Sequence, residues 1–324
     1  MSSTQKQYNP EQAVLEYLSE EQIPPGCSLL IAYSGGPDSS ALLQVLYQLS
    51  AGLNQKLSCA YLDHGIRKPV DTDRELEFII RRCRFLDLPL VWKRLEYNSL
   101  RTEVRQTGRS LEDLAREKRY LFLFDQAKQL EADYIALGHN EDDQLETQVM
   151  RFFQGAGAAG LKGIPVRNGK IIRPLMRCNR QTILHYLDTH DINFLVDSTN
   201  ENQKFLRNAV RKQLIPLLHE LFPGYRKSLR ILADKMSSIN AFLDRESAER
   251  LRWQDYHHGY RIRTKSFLEA AGPLRLRSVY RIIDQLVSKP VQIPYRFLVP
   301  LLNDEVIWER RVLLNAYGIR LFRA

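Results

Sequence analysis

Apolar runs at residues 29–33, 57–62, 90–95 and 133–137 have the length of buried strands. Between and after them lie stretches whose apolar positions recur at helical spacing: 38–49, 72–86, 110–130 and 141–153. Such alternation predicts an α/β fold, a doubly wound parallel sheet with right-handed crossovers. A shorter run at 171–175 reads as a strand stopped by Pro174, and a helix spans 203–221 before Phe222-Pro223-Gly224. The alternation ends there. Residues 225–253, 273–287 and 295–302 read as helices, and 306–315 with 317–322 as a β-hairpin. The pattern therefore divides the chain into an N-terminal extension with a first helix (1–25), an α/β domain (26–222) and a second, mostly helical domain (223–324). No internal repeat interrupts this plan.

Composition adds direction. The chain has 324 residues, 44% hydrophobic and 26% charged, as in a globular protein. No apolar run approaches the roughly 20 residues of a membrane span, and residues 1–10 carry no signal-peptide core. Cytoplasmic residence without a membrane partner is the expectation. Four scattered cysteines, with no C-x-x-C pair, argue against a zinc site or a disulfide scaffold and read as small buried residues. The net charge of +9 is uneven. Residues 1–215 hold 28 Lys and Arg against 27 Asp and Glu, whereas 216–324 hold 19 against 11. A basic last third is either a polyanion-binding surface or a basic surface that binds nothing.

Ser34-Gly35-Gly36-Pro37-Asp38-Ser39-Ser40 joins the first strand to the first helix of the α/β region. Adjacent glycines permit positive φ and close backbone approach, and the following helix aims free N–H groups at the turn. Three serine hydroxyls add donors. These parts predict an anion nest for a phosphate chain. It has no Walker lysine and no G-x-G-x-x-G.

Two more polar segments sit at strand ends. Asp63-His64-Gly65-Ile66-Arg67 is either a capped turn or a ligand contact. In Gly138-His139-Asn140-Glu141-Asp142-Asp143-Gln144-Leu145-Glu146, helical spacing puts Asp143 and Glu146, or Asp142 and Glu146, on one face. Acidic residues in a first helical turn suit the helix dipole; clustered carboxylates also hold Mg²⁺ or a cationic amine. In an open α/β sheet these strand ends share one crevice.

Ser110 and Asp113 form a capping-box-like helix start, followed by Arg116, Lys118 and Arg119. Arg116 either reaches a phosphate or is a solvated charge. A glycine-rich run, 155–163, is mobile or tightly turned. Asp197-Ser198-Thr199-Asn200 follows, and Arg207 and Arg211 stand i, i+4, to meet phosphates or to pair with carboxylates.

The S-G-G-x-D-S loop resembles that of the ATP pyrophosphatase superfamily. Taken in order, S-G-G-P-D-S, L-D-H-G-I-R, S-L-E-D-L-A-R-E-K-R-Y, G-H-N-E-D-D-Q-L-E-T, G-A-G-A-A-G-L-K-G-I, I-R-P-L, D-S-T-N and R-N-A-V-R resemble the tRNA(Ile)-lysidine synthetases across residues 26–235. The resemblance implies an adenine nucleotide hydrolase-like fold and a ligase using ATP and Mg²⁺. It would adenylate O2 of the wobble cytidine of isoleucine tRNA, then attach L-lysine at C2 with release of AMP. It implies that Ser34, Gly35, Gly36, Pro37, Asp38, Ser39 and Ser40 hold pyrophosphate. Asp38, with Asp142, would bind Mg²⁺, or Asp38 would take a proton. Asp143 and Glu146 would receive the lysine ammonium. Arg116, His139 and Arg207 would stabilise phosphate or developing charge, and the basic last third would grip the tRNA backbone. Many members are longer and carry a third, C-terminal tRNA-binding domain, and downstream of residue 240 no motif matches residue by residue. Monomer and homodimer stay open. The same superfamily contains tRNA thiolases, which need sulfur-carrying cysteines, and ammonia-using amide synthetases; a catalytically dead RNA-binding protein is the remaining alternative.

Overall fold

The computed structural model describes residues 9–196, 206–257, 259–286, 297–303, 312–316 and 319–322. Its residues form two compact units, 1–155 with 163–229, and 156–162 with 230–324.

In the first unit, α1 (Pro10–Glu20) starts at Asn9, whose side chain accepts from the Glu11 amide, with Pro10 supplying a helical φ. Then come β1 (Ser28–Ala32), α2 (Pro37–Leu53), β2 (Lys56–Asp63), α3 (Pro69–Phe85), β3 (Leu90–Arg94), α4 (Ser99–Thr107), α5 (Leu111–Gln129), β4 (Tyr134–Ala136) and α6 (Glu141–Phe153). After α7 (Ala158–Leu161), which belongs to the second unit and around which the glycine-rich run is turned, the first unit resumes with β5 (Arg167–Asn168), β6 (Ile171–Ile172) and α8 (Arg180–Thr189). Beyond them α9 (Leu206–Ala209), a π-helical turn (Val210–Leu214) and α10 (Ile215–Leu221) run on continuously. Pro216 lacks the N–H that would bond four residues back. The Ile215 amide instead reaches Val210, the wider π register. The expected strand at 171–175 is limited to Ile171–Ile172; the Arg173 amide still donates to the carbonyl of Val166 in the β5–β6 register, and Pro174, which has no amide, follows it.

The sheet order is β3-β2-β1-β4-β6-β5, parallel except for the β5–β6 pair. This is the doubly wound sheet expected from the alternation. Successive strand residues face opposite cores. Leu29 and Ile31 of β1 and Cys59 and Tyr61 of β2 pack with α1, α2, α3 and α8; Leu30, Ala60, Leu62 and Ile135 pack with Phe122, Leu123 and Ala127 of α5. Burial on both faces explains why the strands read as continuous apolar runs. The first helix is part of this core: Ala13, Val14, Tyr17 and Leu18 are buried. All four cysteines are free and buried.

The chain passes into the second unit along α11 (Tyr225–Arg250), a 26-residue helix that crosses residue 229. That unit continues with β7 (Gln254–Tyr256), β8 (Gly259–Arg261), α12 (Thr264–Glu269) and α13 (Gly272–Leu286), and ends with β9 (Val312–Ala316) paired antiparallel to β10 (Ile319–Phe322). The expected helix at 295–302 is corrected to a 3-10 turn, Val299–Leu301, among the described residues. Pro300 there removes a backbone donor. Phe267, Leu268, Leu274, Val279, Ile283, Leu298, Leu301, Leu313 and Leu314 form the core of this unit. Buried Arg275 donates to the carbonyls of Leu268, Ala270 and Leu301. The expected D-S-T-N segment, 197–200, and residues 201–205 lie outside the described residues. No helix among the described residues is long and apolar enough to cross a membrane.

Candidate active site at the carboxyl ends of the parallel strands

The loop after β1 is braced from within. Ser39 Oγ donates to the carbonyl of Gly36 (3.0 Å) and accepts from the Ser34 amide (3.3 Å), and Ser40 Oγ donates to the carbonyl of Gly35 (3.2 Å). The serine hydroxyls, expected as ligand donors, are therefore occupied in shaping the turn. Ser39 and Ser40 are buried. What remains for an anion is the backbone. Gly36 caps α2 with no side-chain hydrogen bond, so the amides of the first turn lack an intrahelical acceptor. Gly35 has φ +77°, and a Cβ there would stand 2.7 Å from Leu195 Cδ1, while the Leu195 amide donates to the Gly35 carbonyl (2.8 Å).

The loop is joined to the carboxylate cluster at the end of β4. Gly138 lets α2 approach: a Cβ there would lie 3.1 Å from the backbone of Asp38 and Ser39. Next to it, Asn140 Nδ2 donates to Asp38 Oδ1 (2.8 Å), while Asn140 Oδ1 accepts from the Asp143 amide (3.0 Å). Asp143 Oδ2 returns to the Asn140 amide (3.0 Å), completing a capping box. Asp38 Oδ2 accepts from Arg180 Nη1 (3.0 Å). Asn140 and Arg180 are thus site residues that sequence reasoning did not assign. Asn140 lay inside a quoted motif, but Arg180 had no local signal.

Asp143 and Glu146 do share a face, and Arg207 and Arg211 meet them there. Arg207 Nη2 reaches Asp143 Oδ1 (2.7 Å), Arg207 Nε reaches Glu146 Oε2 (2.8 Å), and Arg211 Nε reaches Glu146 Oε1 (2.5 Å). The i, i+4 arginines therefore pair with carboxylates, one of the two alternatives their spacing left open. Burial pushes the Asp143 carboxyl up from its ordinary range, and Arg207 only partly opposes this.

Asp142 is spent on the α8 start and on α11: Oδ2 accepts from the Arg180 amide (2.7 Å) and Oδ1 from Arg226 Nη2 (2.6 Å). Among the described residues no three His, Cys, Asp or Glu side chains gather to hold a metal ion. With Asp38 and Asp142 both engaged by arginines, this pair does not fit a Mg²⁺ site built by the protein.

Asp63 is a turn residue, accepting from the Gly65 amide (2.9 Å) and Arg94 Nε (2.7 Å), and Arg67 pairs with Glu75. His64 lies beyond β2 and His139 beyond β4, each with a buried, unpartnered Nδ1. Burial, then Arg119, pushes the His64 pKa down to about 4, opposed by Asp63. Burial, then the charges of Arg173, Arg119, Arg116 and Arg207, pushes His139 down to about 3. Arg116 is exposed, 5.0 Å from the Tyr120 ring with a 3.1 Å hydrogen bond to its hydroxyl.

These histidines fold neutral but charge freely when unfolded, near pH 6.5. Their contribution is complete above 6.5 and is lost as pH falls through 6.5 toward about 4 and 3. The thermal midpoint is expected to drop across that window, and replacing His64 and His139 together by Gln is expected to flatten the drop. A drop of unchanged slope in the double variant counts against this assignment.

Residues 7–218 match the PP-loop domain family. The chain belongs to that family. Within it, this PP-loop chain is similar to proteins named tRNA(Ile)-lysidine synthase. It is 35% identical to that of Borreliella burgdorferi strain ZS7 over 256 residues (79% of this chain, 57% of the relative). With that of Thermotoga maritima it shares 37% over 220 residues (68% and 52%), and with that of Porphyromonas gingivalis 36% over 234 (72% and 48%). The chain spans about half the length of these curated relatives. Among solved structures, the U34-tRNA thiolase NcsA of Methanococcus maripaludis, with its [4Fe-4S] cluster, has a TM-score of 0.58 at 16% identity, covering 70% of this chain and 78% of that one. At that identity the likeness is one of PP-loop fold.

Proposed function

We propose that this chain joins L-lysine to C2 of the wobble cytidine of isoleucine tRNA at the expense of ATP. The observation that carries the reading is the Asp38–Asn140–Asp143 chain of hydrogen bonds, which makes the phosphate loop and the carboxylate cluster one assembly. In the first step cytosine O2 bonds to the α-phosphorus and the α–β anhydride breaks, so that pyrophosphate leaves against the loop amides. In the second, lysine Nε bonds to C2, the C2–O2 bond breaks, AMP leaves and the amine sheds its protons.

Asp143 and Glu146 suit the lysine ammonium. Asp143 is pushed up despite its arginine, so the buried cluster gains from a further cation. Asp38 positions Asn140 and Arg180 between the two halves of the site. His139 and Arg116 would stabilise developing phosphate charge, and Arg207 would join them on leaving its carboxylates. A thiolase reading lacks support from the cysteines, since all four are buried.

The test is incubation with ATP, labelled lysine and an isoleucine tRNA transcript, followed by nuclease digestion. Label is expected on the wobble nucleotide, with AMP and pyrophosphate in equal amounts. ADP with orthophosphate, or unlabelled RNA, overturns the reading.

The second unit presents exposed Arg252, Arg261, Arg263 and Lys265, with Arg261 stacked 5.0 Å from the exposed Tyr256 ring. If these grip the tRNA backbone, each lost phosphate contact lowers the slope of log affinity against log salt by about 0.7–0.9. The quadruple Ala variant is expected to bind more weakly with a shallower slope in a salt series. Wild-type affinity and slope would clear this face of an RNA role.

A further inference from the structure

Arg119 is a cation at this site that forms no ion pair among the described residues. It lies on α5, one residue before Tyr120, which packs with Ala32, Val91 and Leu95 against the core on that face of the sheet. Because β1 stands between β2 and β4, His64 and His139 flank the strand that feeds the phosphate loop. Arg119 Nε, His64 Nδ1 and His139 Nδ1 are all buried, and none has a hydrogen-bond partner. Three orphaned nitrogens on three elements converging at one strand end are an expensive arrangement unless a ligand satisfies them.

Three neighbouring cations are committed to side chains, while buried Arg173, which also acts on His139, donates through Nη1 to the Pro165 carbonyl and keeps an unpartnered Nε. Arg116 lies on Tyr120, Arg207 on Asp143 and Glu146, and Arg67 on Glu75. Arg119 has its guanidinium 5.9 Å from the Tyr120 ring and, among the described residues, no ion pair. Arg116 and Arg207 add positive charge around it, and Glu112 is the acid that acts on it. A half-buried guanidinium with a buried, unpartnered Nε in such company costs stability, and an oxyanion with two oxygens for its fork offsets that cost.

Resting on the function proposed above, we infer that Arg119, flanked by His64 and His139, binds a phosphate oxyanion, from the nucleotide or from the RNA backbone. The guanidinium edge and the two imidazoles supply donors, and none of the three forms an ion pair with a carboxylate among the described residues. The loop amides hold one end of a phosphate chain, and Arg119 holds a phosphate on the α5 side of the same strand ends.

The test compares full-length wild type, Arg119→Met and Arg119→Lys. One arm measures α,β-methylene-ATP affinity by calorimetry without RNA. The other measures isoleucine tRNA affinity by filter binding without nucleotide. In Arg119→Met a loss of about 10- to 100-fold is expected in one arm, less in Arg119→Lys. Its thermal midpoint is expected at or above that of wild type, because a half-buried, unpaired charge has gone. Loss confined to the nucleotide arm assigns a nucleotide phosphate; loss confined to the RNA arm assigns a backbone phosphate. Retained affinity in both arms, or losses that accompany a lowered midpoint, overturn the inference while leaving the proposed function standing. A wild type that binds neither ligand overturns both.

Discussion

Glu146→Gln is expected to lower both stability and lysine use, because one buried carboxylate serves two arginines. Glu146 is 2% exposed, and its oxygens receive Arg207 Nε and Arg211 Nε. Glutamine keeps the volume but leaves two guanidiniums facing Asp143 alone. Breaking a buried ion pair from one side costs about 3–5 kcal/mol. The arginine side chains are still 27% and 34% exposed, so the lower end applies. About 3 kcal/mol corresponds to a thermal midpoint lower by about 6–12 °C. Lysine KM is expected to rise about 10-fold or more, as one charge-assisted contact is lost. Glu146→Asp, which keeps the charge, should recover part of both. An unaltered midpoint together with an unaltered lysine dependence would refute the role given to this residue.

Asp38→Ala is expected to remove nucleotide cleavage with little loss of fold. Asp38 is the first-turn acid of α2, and its carboxylate ties the loop to Asn140 on one side and to Arg180 on the other. Without it the two halves of the site lose their bridge, though Asn140 still caps α6 through Oδ1. Misplacement of reacting groups by an ångström costs about 100-fold in rate. At least that loss is expected in pyrophosphate release with tRNA and lysine present. Asp38→Asn keeps one acceptor oxygen, for either Asn140 or Arg180, and should fall between. Pyrophosphate release at the wild-type rate in Asp38→Ala would show that the bridge is incidental.

Much of the frame was readable from local pattern. The four expected strands and four expected helices of the α/β region were found within a few residues of their positions, since a strand buried on both faces and an amphipathic helix each leave a periodic signature. Ser110 caps its helix as its capping-box-like context suggests, whereas the cap by Asn140 was not read from the sequence. Elements without such a signature escaped notice. Helix α4 buries only Leu100 and begins after Asn98 in a left-handed conformation, and β7 and β8 are three residues each.

What the sequence determined by itself is the alternation of strand and helix, and hence three polar segments at the ends of strands, where an open parallel sheet gathers its ligands. Tertiary structure alone decided how those segments meet. Ser39 and Ser40 turn inward, Gly138 admits the first turn of α2, Arg180 reaches Asp38 across 142 positions, and Arg207 covers the carboxylates from 61 and 64 positions away. The physical reason is that periodicity is a property of neighbours in the chain. A charge is paired or orphaned according to which elements pack together, and Arg119 has no ion pair among the described residues because packing set Arg116 and Arg207 against it more strongly than Glu112 for it.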